Sequence, residues 1–321
     1  MNDNSKKYKV VVSETLSDRA LEWLAERAEV VRTNPDRVVD VIGDADALIV
    51  RTYTEVNGDL LDKAPQLKAV GRAGVALENV DVPECRSRGV EVVHTPAANT
   101  NAVVDYTIRM IIELNRKFWP ITGYLEPEEF HSIRKDKFGY FLADLTLGII
   151  GCGRIGSRVG KAAAGLGMRV LYNDIKDIEV DYPAEAVDKQ TIYEESDVIT
   201  VHTPLTDLTR GLIDAKTIAE FKDGAKFINA ARGPIVNYKD LANAIRTGKV
   251  SGAAIDCHDP EPFGRDYPML QVLDRNVILT PHIAARVPQA MENMCDVVHD
   301  IIAVLEGRQP DWPAQPEAYG G

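Results

Sequence analysis

The sequence predicts an α/β protein of two doubly wound parallel-sheet domains, one inserted in the other. Three observations lead there. Short apolar strands alternate with helical stretches through the first hundred residues. A second alternation of the same kind starts at Leu145, and an amphipathic stretch after His282 is placed to rejoin the first unit. The expected domains are 1–98 with 286–321, and 99–285.

In the first unit, strands are expected at 9–13, 29–32, 47–51, 68–72 and 90–94, with helices between them such as 18–27. The segment Pro96-Ala-Ala-Asn99 interrupts that rhythm. A long helix follows over 101–119, whose apolar residues (Val103, Val104, Ile108, Met110, Ile111, Ile112, Leu114 and Phe118) cover more than one face. Such a helix must be buried on several sides, so it is expected to form part of a subunit contact. Residues 120–143 read as polar and irregular. The second unit then runs through strands ending near Asp174, Thr203, Arg232, Asp256 and His282, followed by one helix over 289–306 and a Pro-rich tail.

The 321 residues are 45% hydrophobic and 27% charged, ordinary for a soluble globular protein. The net charge of −12, from 37 basic and 49 acidic residues, argues against nucleic acid as a partner. Cys85, Cys152, Cys257 and Cys295 are scattered, with no C-x-x-C pair and no metal-ligand spacing. Reduced thiols in a cytoplasm and no metal are therefore expected. The polar start MNDNSKKYKV lacks the apolar core of a signal peptide, and no run approaches the length of a membrane span.

Chemistry enters at residues 145–156, LTLGIIGCGRIG, where a continuous apolar strand meets a Gly-x-Gly-x-x-Gly turn. Gly151 permits the tight turn, Gly153 lets backbone amides approach a pyrophosphate, and Gly156 lets the next helix pack on the strand. The helix start at Arg154 and Ile155 offers N–H groups and a positive dipole end to phosphates. A helix over 157–167 and a strand over 168–173 come next, and Asp174 then falls where a ribose diol would sit. This is a Rossmann dinucleotide-binding unit. A carboxylate at 174 would repel a 2′-phosphate by about 4 kcal/mol at 4 Å and an effective dielectric of about 20. NAD is therefore expected over NADP.

Ligands of open parallel sheets bind outside the carboxyl ends of the strands. Those ends carry Arg232, Asp256 and His282, with Glu261 in a loop punctuated by Pro260 and Pro262. Hydride transfer to a 2-keto acid needs a carboxylate clamp, a polarised carbonyl and a proton for the nascent alkoxide. Arginine supplies a fixed-charge, bidentate fork for the first two tasks. Histidine titrates near neutrality and suits the third, with a carboxylate to orient it. Arg232 is assigned to substrate, His282 to proton transfer and Glu261 to orienting His282. His94, His131, His202, His258 and His299 are read as structural or solvated, and HSIRKDK (131–137) as a solvated loop.

The chain resembles the D-2-hydroxyacid dehydrogenase family over nearly its whole length. The motifs are IVRT (49–52), VGRAGV (70–75), LGIIGCGRIG (147–156), HTPLT (202–206), INAARGPIVN (228–237), GAAIDCHDPEP (252–262) and TPHIAA (280–285). The resemblance implies that Arg232, Glu261 and His282 are catalytic. It adds Thr203, Ala230 and Asp256 to Arg154, Ile155 and Asp174 as NAD contacts. It places Arg51, Gly74 and Val75 at the substrate carboxylate, within a flavodoxin-like substrate domain, and implies a homodimer.

Departures from the family pattern bear on substrate choice: Ala76 and Glu78 after VGRAGV, Asp105 on the long helix, and Cys257-His258 where Phe is common. With the chain ending at Gly321, no regulatory amino-acid-binding domain is expected. Two other functions share this fold. An NAD-sensing scaffold resembling corepressors would need partner capture independent of turnover. A dehydrogenase of another small anion is the second; formate enzymes pair the histidine with Gln, which Glu261 does not match.

Overall fold

The computed structural model describes residues 8–135 and 139–315. The chain divides into two compact units, Met1–Thr100 with Ala285–Gly321, and Asn101–Ala284.

The first unit holds strands β1 (Tyr8–Val12), β2 (Ala28–Arg32), β3 (Ala47–Val50), β4 (Ala69–Arg72) and β5 (Glu91–His94), all parallel, in the order β2-β1-β3-β4-β5. Helices α1 (Asp18–Ala25), α2 (Gly58–Leu61) and α3 (Val82–Ser87) connect them. Each begins on a side-chain cap, Ser17 to Ala20 N–H, Asn57 to Leu60 N–H and Asp81 to Glu84 N–H. Residues 47–50 are an unbroken apolar run because β3 is central and buried on both faces.

The second unit starts with α4 (Thr100–Asn115) and α5 (Pro127–Lys135). Its sheet contains β6 (Thr146–Ile150), β7 (Arg169–Asn173), β8 (Glu185–Ala186), β9 (Val198–Val201), β10 (Ala225–Asn229), β11 (Val250–Ile255) and β12 (Val277–Leu279). Helices α6 (Arg154–Gly165), α7 (Lys189–Glu195), α8 (Ala215–Ala219) and α9 (Tyr238–Thr247) run between strands. The strand order is β12-β11-β10-β9-β6-β7-β8, all parallel. The chain winds outward from β6 first through β7, then back through β9. That reversal opens a crevice at the carboxyl ends of β6 and β9.

Two expectations for this unit need correction. The long helix stops at Asn115, four residues early, where Tyr140 N–H bonds the Asn115 carbonyl at 3.2 Å and Gly139 lies against the same group. Residues 127–135, read as irregular, form α5. Its acids Glu128 and Glu129 lie in the first turn and its bases Arg134 and Lys135 in the last, which complements the helix dipole. None of its residues is buried, so no apolar stripe announces it. Of the HSIRKDK segment, 131–135 belong to α5, and Asp136 and Lys137 lie outside the described residues.

The chain then returns to the first unit. The single helix expected over 289–306 is two, α10 (Pro288–Met294) and α11 (Val297–Leu305). Between them the backbone tightens to i→i−3 bonds (Cys295 to Glu292, Asp296 to Asn293, Val298 to Cys295) while Glu292 and Asp296 side chains grip Arg19 on α1. Helix α11 lies on β4, where a Cβ at Gly71 would come within 2.8 Å of Ile301. The buried Asp300 carboxylate accepts from Asp311 and Trp312 N–H at 2.8 and 3.0 Å. This fastens the tail beside β5, with Ala314 N–H on the Val92 carbonyl at 2.8 Å.

Candidate active site

The turn after β6 is built from glycines that have different reasons to be there. Gly151 has φ 93°, and a Cβ on it would press within 2.8 Å of the His202 backbone and the Thr203 methyl. A Cβ on Gly156 would meet the Gly151 carbonyl at 2.0 Å, so the first turn of α6 rests directly on the loop. Gly153 differs: a Cβ there meets nothing within 4 Å. The fold itself does not need glycine at that point; the open space there meets the requirement that a ligand approaching the backbone would impose. No side chain caps the first turn of α6, which contains Arg154, Ile155 and Gly156.

Two more groups face this requirement. The Thr203 hydroxyl, just past β9, is buried and has no hydrogen-bond partner among the described residues. Asp174, just past β7, accepts Cys152 N–H at 2.7 Å and Lys176 N–H at 3.0 Å, which ties it to the glycine turn. An uncapped helix start, an empty space beside Gly153, an orphaned hydroxyl and a carboxylate after the second strand fit a dinucleotide. Ala230 lies half-buried after β10 at the same edge of the sheet.

The strand ends of β11 and β12 position the imidazole. His282 has φ 54°, the one positive value at a non-glycine position among the described residues. That strain needs support from outside the residue. Asp256 provides it: its carbonyl accepts His282 N–H at 2.9 Å, and its wholly buried carboxylate accepts Ile283 and Ala284 N–H, each at 2.8 Å. The Thr280 hydroxyl donates to the same carboxylate at 2.6 Å and is bonded in turn to Tyr106 on α4 at 2.6 Å.

Glu261 holds His282 from the side. One carboxylate oxygen accepts His258 N–H at 2.6 Å, and the other pairs with His282 Nδ1 at 2.8 Å. The Cys257 sulfur and then Glu261 favour the protonated ring, outweighing burial, so the His282 pKa is pushed up to about 10. Burial alone would raise the Glu261 carboxyl, but the bonds from His282 and His258 N–H overcome it and leave the group below its ordinary range.

His258 is only 4% exposed and belongs to the core. Its Nε2 lies 2.9 Å from the Thr280 carbonyl and its Nδ1 lies 3.0 Å from the Tyr267 hydroxyl. A carbonyl only accepts, so Nε2 donates to Thr280. The ring is a buried strut between Thr280 and Tyr267.

Arg232 stands on the loop after β10. Asn229 organises that loop by accepting Ala231 N–H at 3.0 Å and donating to the Arg232 carbonyl at 2.9 Å. The Tyr238 hydroxyl joins Asn229 to the Cys257 carbonyl, and the Cys257 thiol donates to the Ala231 carbonyl at 3.4 Å. Gly233 runs so close to the His258 carbonyl that a Cβ would fall within 1.7 Å of it. The backbone carrying Arg232 is thereby fastened to the one carrying Cys257 and Glu261, and the Arg232 guanidinium bonds the Ala231 carbonyl at 2.6 Å.

In the first unit, Arg51 follows β3 with its guanidinium on the Thr15 carbonyl at 3.1 Å and near the sulfurs of Met291 and Met294, each at 3.9 Å. Gly74 (φ 153°) and Val75 are anchored through their carbonyls, by Thr95 N–H at 3.0 Å and His94 Nδ1 at 2.8 Å. Sequence reasoning missed Glu14, whose carboxylate accepts the N–H groups of Arg51, Thr52, Tyr53 and Thr54 at 2.9–3.1 Å. Its one sequence signal is an acid directly past the end of the first strand. Thr280, Tyr106 and Cys257 were missed too, since they act through contacts made only in the folded chain.

Residues 108–284 match the family described as D-isomer specific 2-hydroxyacid dehydrogenase, NAD binding domain. The chain is 32% identical over 292 residues to a hydroxypyruvate reductase of Thermotoga maritima, covering 90% of this chain and 95% of that one. It is 36% identical to a D-3-phosphoglycerate dehydrogenase of Archaeoglobus fulgidus, covering 93% of this chain and 58% of the other. The fold is similar to that of a D-lactate dehydrogenase from Aquifex aeolicus complexed with NAD and lactic acid. That match has a TM-score of 0.80 at 28% identity, over 93% of this chain and 96% of that one.

Proposed function

Since the chain belongs to the D-isomer specific 2-hydroxyacid dehydrogenase family, we propose that it interconverts a small D-2-hydroxy acid and its 2-keto acid, with Arg232, Glu261 and His282 as the catalytic groups. It is an NAD-dependent oxidoreductase. Bound NAD supplies the hydride acceptor or donor. Gly151, Gly153, Arg154, Ile155 and Gly156 hold its pyrophosphate, Asp174 its ribose hydroxyls, and Thr203 and Ala230 the rest. Asp256, a cofactor contact by the resemblance, is wholly buried and accepts three protein donors, so in this reading it serves the site through the backbone it holds at 282–284.

Arg232 grips the substrate carboxylate and polarises the carbonyl. His282 gives its proton to the forming alkoxide, or takes one in the oxidative direction, while Glu261 keeps the ring aimed and stabilises its charge. Arg51, Gly74 and Val75 belong to the substrate domain, 1–98 with 286–321, and 99–285 form the dinucleotide domain. The observation that carries the reading is the Glu261–His282 pair at 2.8 Å, with an imidazole whose proton is held well above neutrality.

The test is a panel of glyoxylate, hydroxypyruvate, pyruvate and longer 2-keto acids with NADH, following the reduced-nicotinamide absorbance. Turnover with at least one is expected; none with any of them sinks the reading, and partner capture without turnover favours the scaffold. We assign the protein to the cytoplasm, which suits its four free, buried cysteines. Among the described residues no helix is long and apolar enough to cross a membrane. We also propose a homodimer. Its support is the exposed apolar series Ile112, Phe118, Trp119, Tyr124 and Phe141, more than an isolated chain leaves in water without reason. Sedimentation of wild type and Trp119→Asp tests it.

A further inference from the structure

The four cysteines have no metal-ligand spacing along the chain, yet the fold gathers one of them into a ligand set. Cys257 follows β11, Glu261 lies in the next loop and His282 follows β12. One sulfur, one carboxylate oxygen and one ring nitrogen of these residues all lie within 4.8 Å of one another. We propose that Cys257, Glu261 and His282 form a binding site for a single borderline-soft divalent cation, with Zn2+ as the type ion, and that its occupation shuts the enzyme off.

The donor set is the first argument. Thiolate, imidazole and carboxylate are the ligands Zn2+ takes, and three of them with a fourth position open is a common arrangement. Zinc–ligand bonds of about 2.0–2.3 Å in a tetrahedron put ligand atoms about 3.3–3.6 Å apart. The Glu261–His282 pair, now 2.8 Å apart, opens by about half an ångström, and the sulfur closes by about one at most. Rotamer adjustments supply both movements.

Access is the second argument. The side chains of His282 and Glu261 are 47% and 36% exposed, so an ion enters from solvent, while Cys257 at 1% exposure forms the floor. The backbone around that floor is held on both sides, by Tyr238 on the Cys257 carbonyl and by Glu261 on His258 N–H. The thiol gives up a weak 3.4 Å bond to the Ala231 carbonyl and its interaction with the protonated His282 ring when it turns to the ion. Binding releases the thiol proton of Cys257 and a proton from His282 to solvent, and no electrons move.

Inhibition, though not the site, rests on the dehydrogenase reading. Either ring nitrogen of His282, once it is a metal ligand, takes the imidazole out of proton exchange with substrate, and Glu261 no longer orients it. The fourth position is left to water.

Co2+ titration of the purified protein tests the site, because thiolate ligation gives an intense near-ultraviolet charge-transfer band. One equivalent is expected to saturate it, and Zn2+ to displace it. In Cys257→Ala the band is lost, and in Cys257→Ser, which keeps the side-chain volume should alanine unsettle the core, it is lost as well; circular dichroism reports folding of each. Zn2+ is expected to abolish turnover reversibly with a chelator, and Cys257→Ser to weaken that sensitivity about tenfold or more. No thiolate band, or a band that persists in either cysteine variant, overturns the proposal. A band that forms while turnover continues upholds the cation site and instead removes His282 as proton carrier.

Discussion

Asp256 and His282 are joined backbone to backbone, His282 N–H to the Asp256 carbonyl at 2.9 Å, and the Asp256 carboxylate then captures the next two N–H groups of the chain. A residue with no solvent exposure thus holds the imidazole in a left-handed conformation that its own side chain disfavours. Asp256→Asn keeps the shape but turns one acceptor into a donor facing N–H groups. The expected result is a stability loss of about 1–3 kcal/mol and a fall in kcat larger than the rise in KM. Chemical denaturation and steady-state kinetics measure the two; a variant with wild-type kcat means that His282 does not depend on this support.

The pH profile follows from the raised His282 pKa. In the proposed mechanism reduction needs the protonated ring, so kcat/KM for a keto acid should stay level through neutrality and fall as pH passes about 10. Oxidation needs the neutral ring and climbs over the same range. The folded-state pKa lies above the ordinary 6.5, so the stabilising contribution is fully present below pH 6.5 and is lost as pH rises through about 10. Glu261→Gln removes one of the two supports, and the descending limb should move toward neutrality. An unmoved limb contradicts the pairing as the origin of the profile.

Arg232→Lys keeps the charge and removes the planar fork. A loss of about 100-fold in kcat/KM is expected, the scale for removing a preorganised charge-stabilising donor. Near-normal turnover refutes the assignment.

We propose that cofactor preference rests on Asp174, whose two oxygens also bind Cys152 and Lys176 N–H groups. Asp174→Ala should move the NAD over NADP ratio of kcat/KM by about tenfold or more toward NADP, since it removes a repulsion of about 4 kcal/mol before solvent screening. An unchanged ratio assigns the selectivity to another group.

Glu14 gathers four N–H groups beside Arg51, and these bonds outweigh burial to hold its carboxyl below the ordinary 4.5. Its stabilising contribution is therefore present above pH 4.5 and is lost as pH falls below it. Glu14→Gln should destabilise the fold by about 1–3 kcal/mol at neutral pH and flatten the acid limb of stability. Equal slopes in denaturation curves taken across that limb count against this role.

Apolar runs such as 47–50 and 147–150 and the punctuation at 151–156 made both sheets legible, because continuous hydrophobicity and glycine at a tight turn are local requirements. The positions of Arg232 and His282 past strand ends were legible for a related reason: in a parallel sheet, strand ends mark where ligands go. Helix α5 was not, since an exposed helix carries its signal in dipole-matched charges rather than in an apolar stripe. The break at Cys295 was hidden by a hydrophobic period that continues straight across it.

The amino-acid order by itself determined the two parallel sheets, the dinucleotide turn and which side chains stand at the strand ends. Only the tertiary structure decided that Glu14 organises the Arg51 segment, that His258 is a buried strut and not a solvated group, and that Cys257 stands beside Glu261. Periodicity and turn chemistry act between near neighbours in the chain, whereas hydrogen-bond acceptance and ligand geometry depend on distances that exist only after strands far apart in sequence have paired.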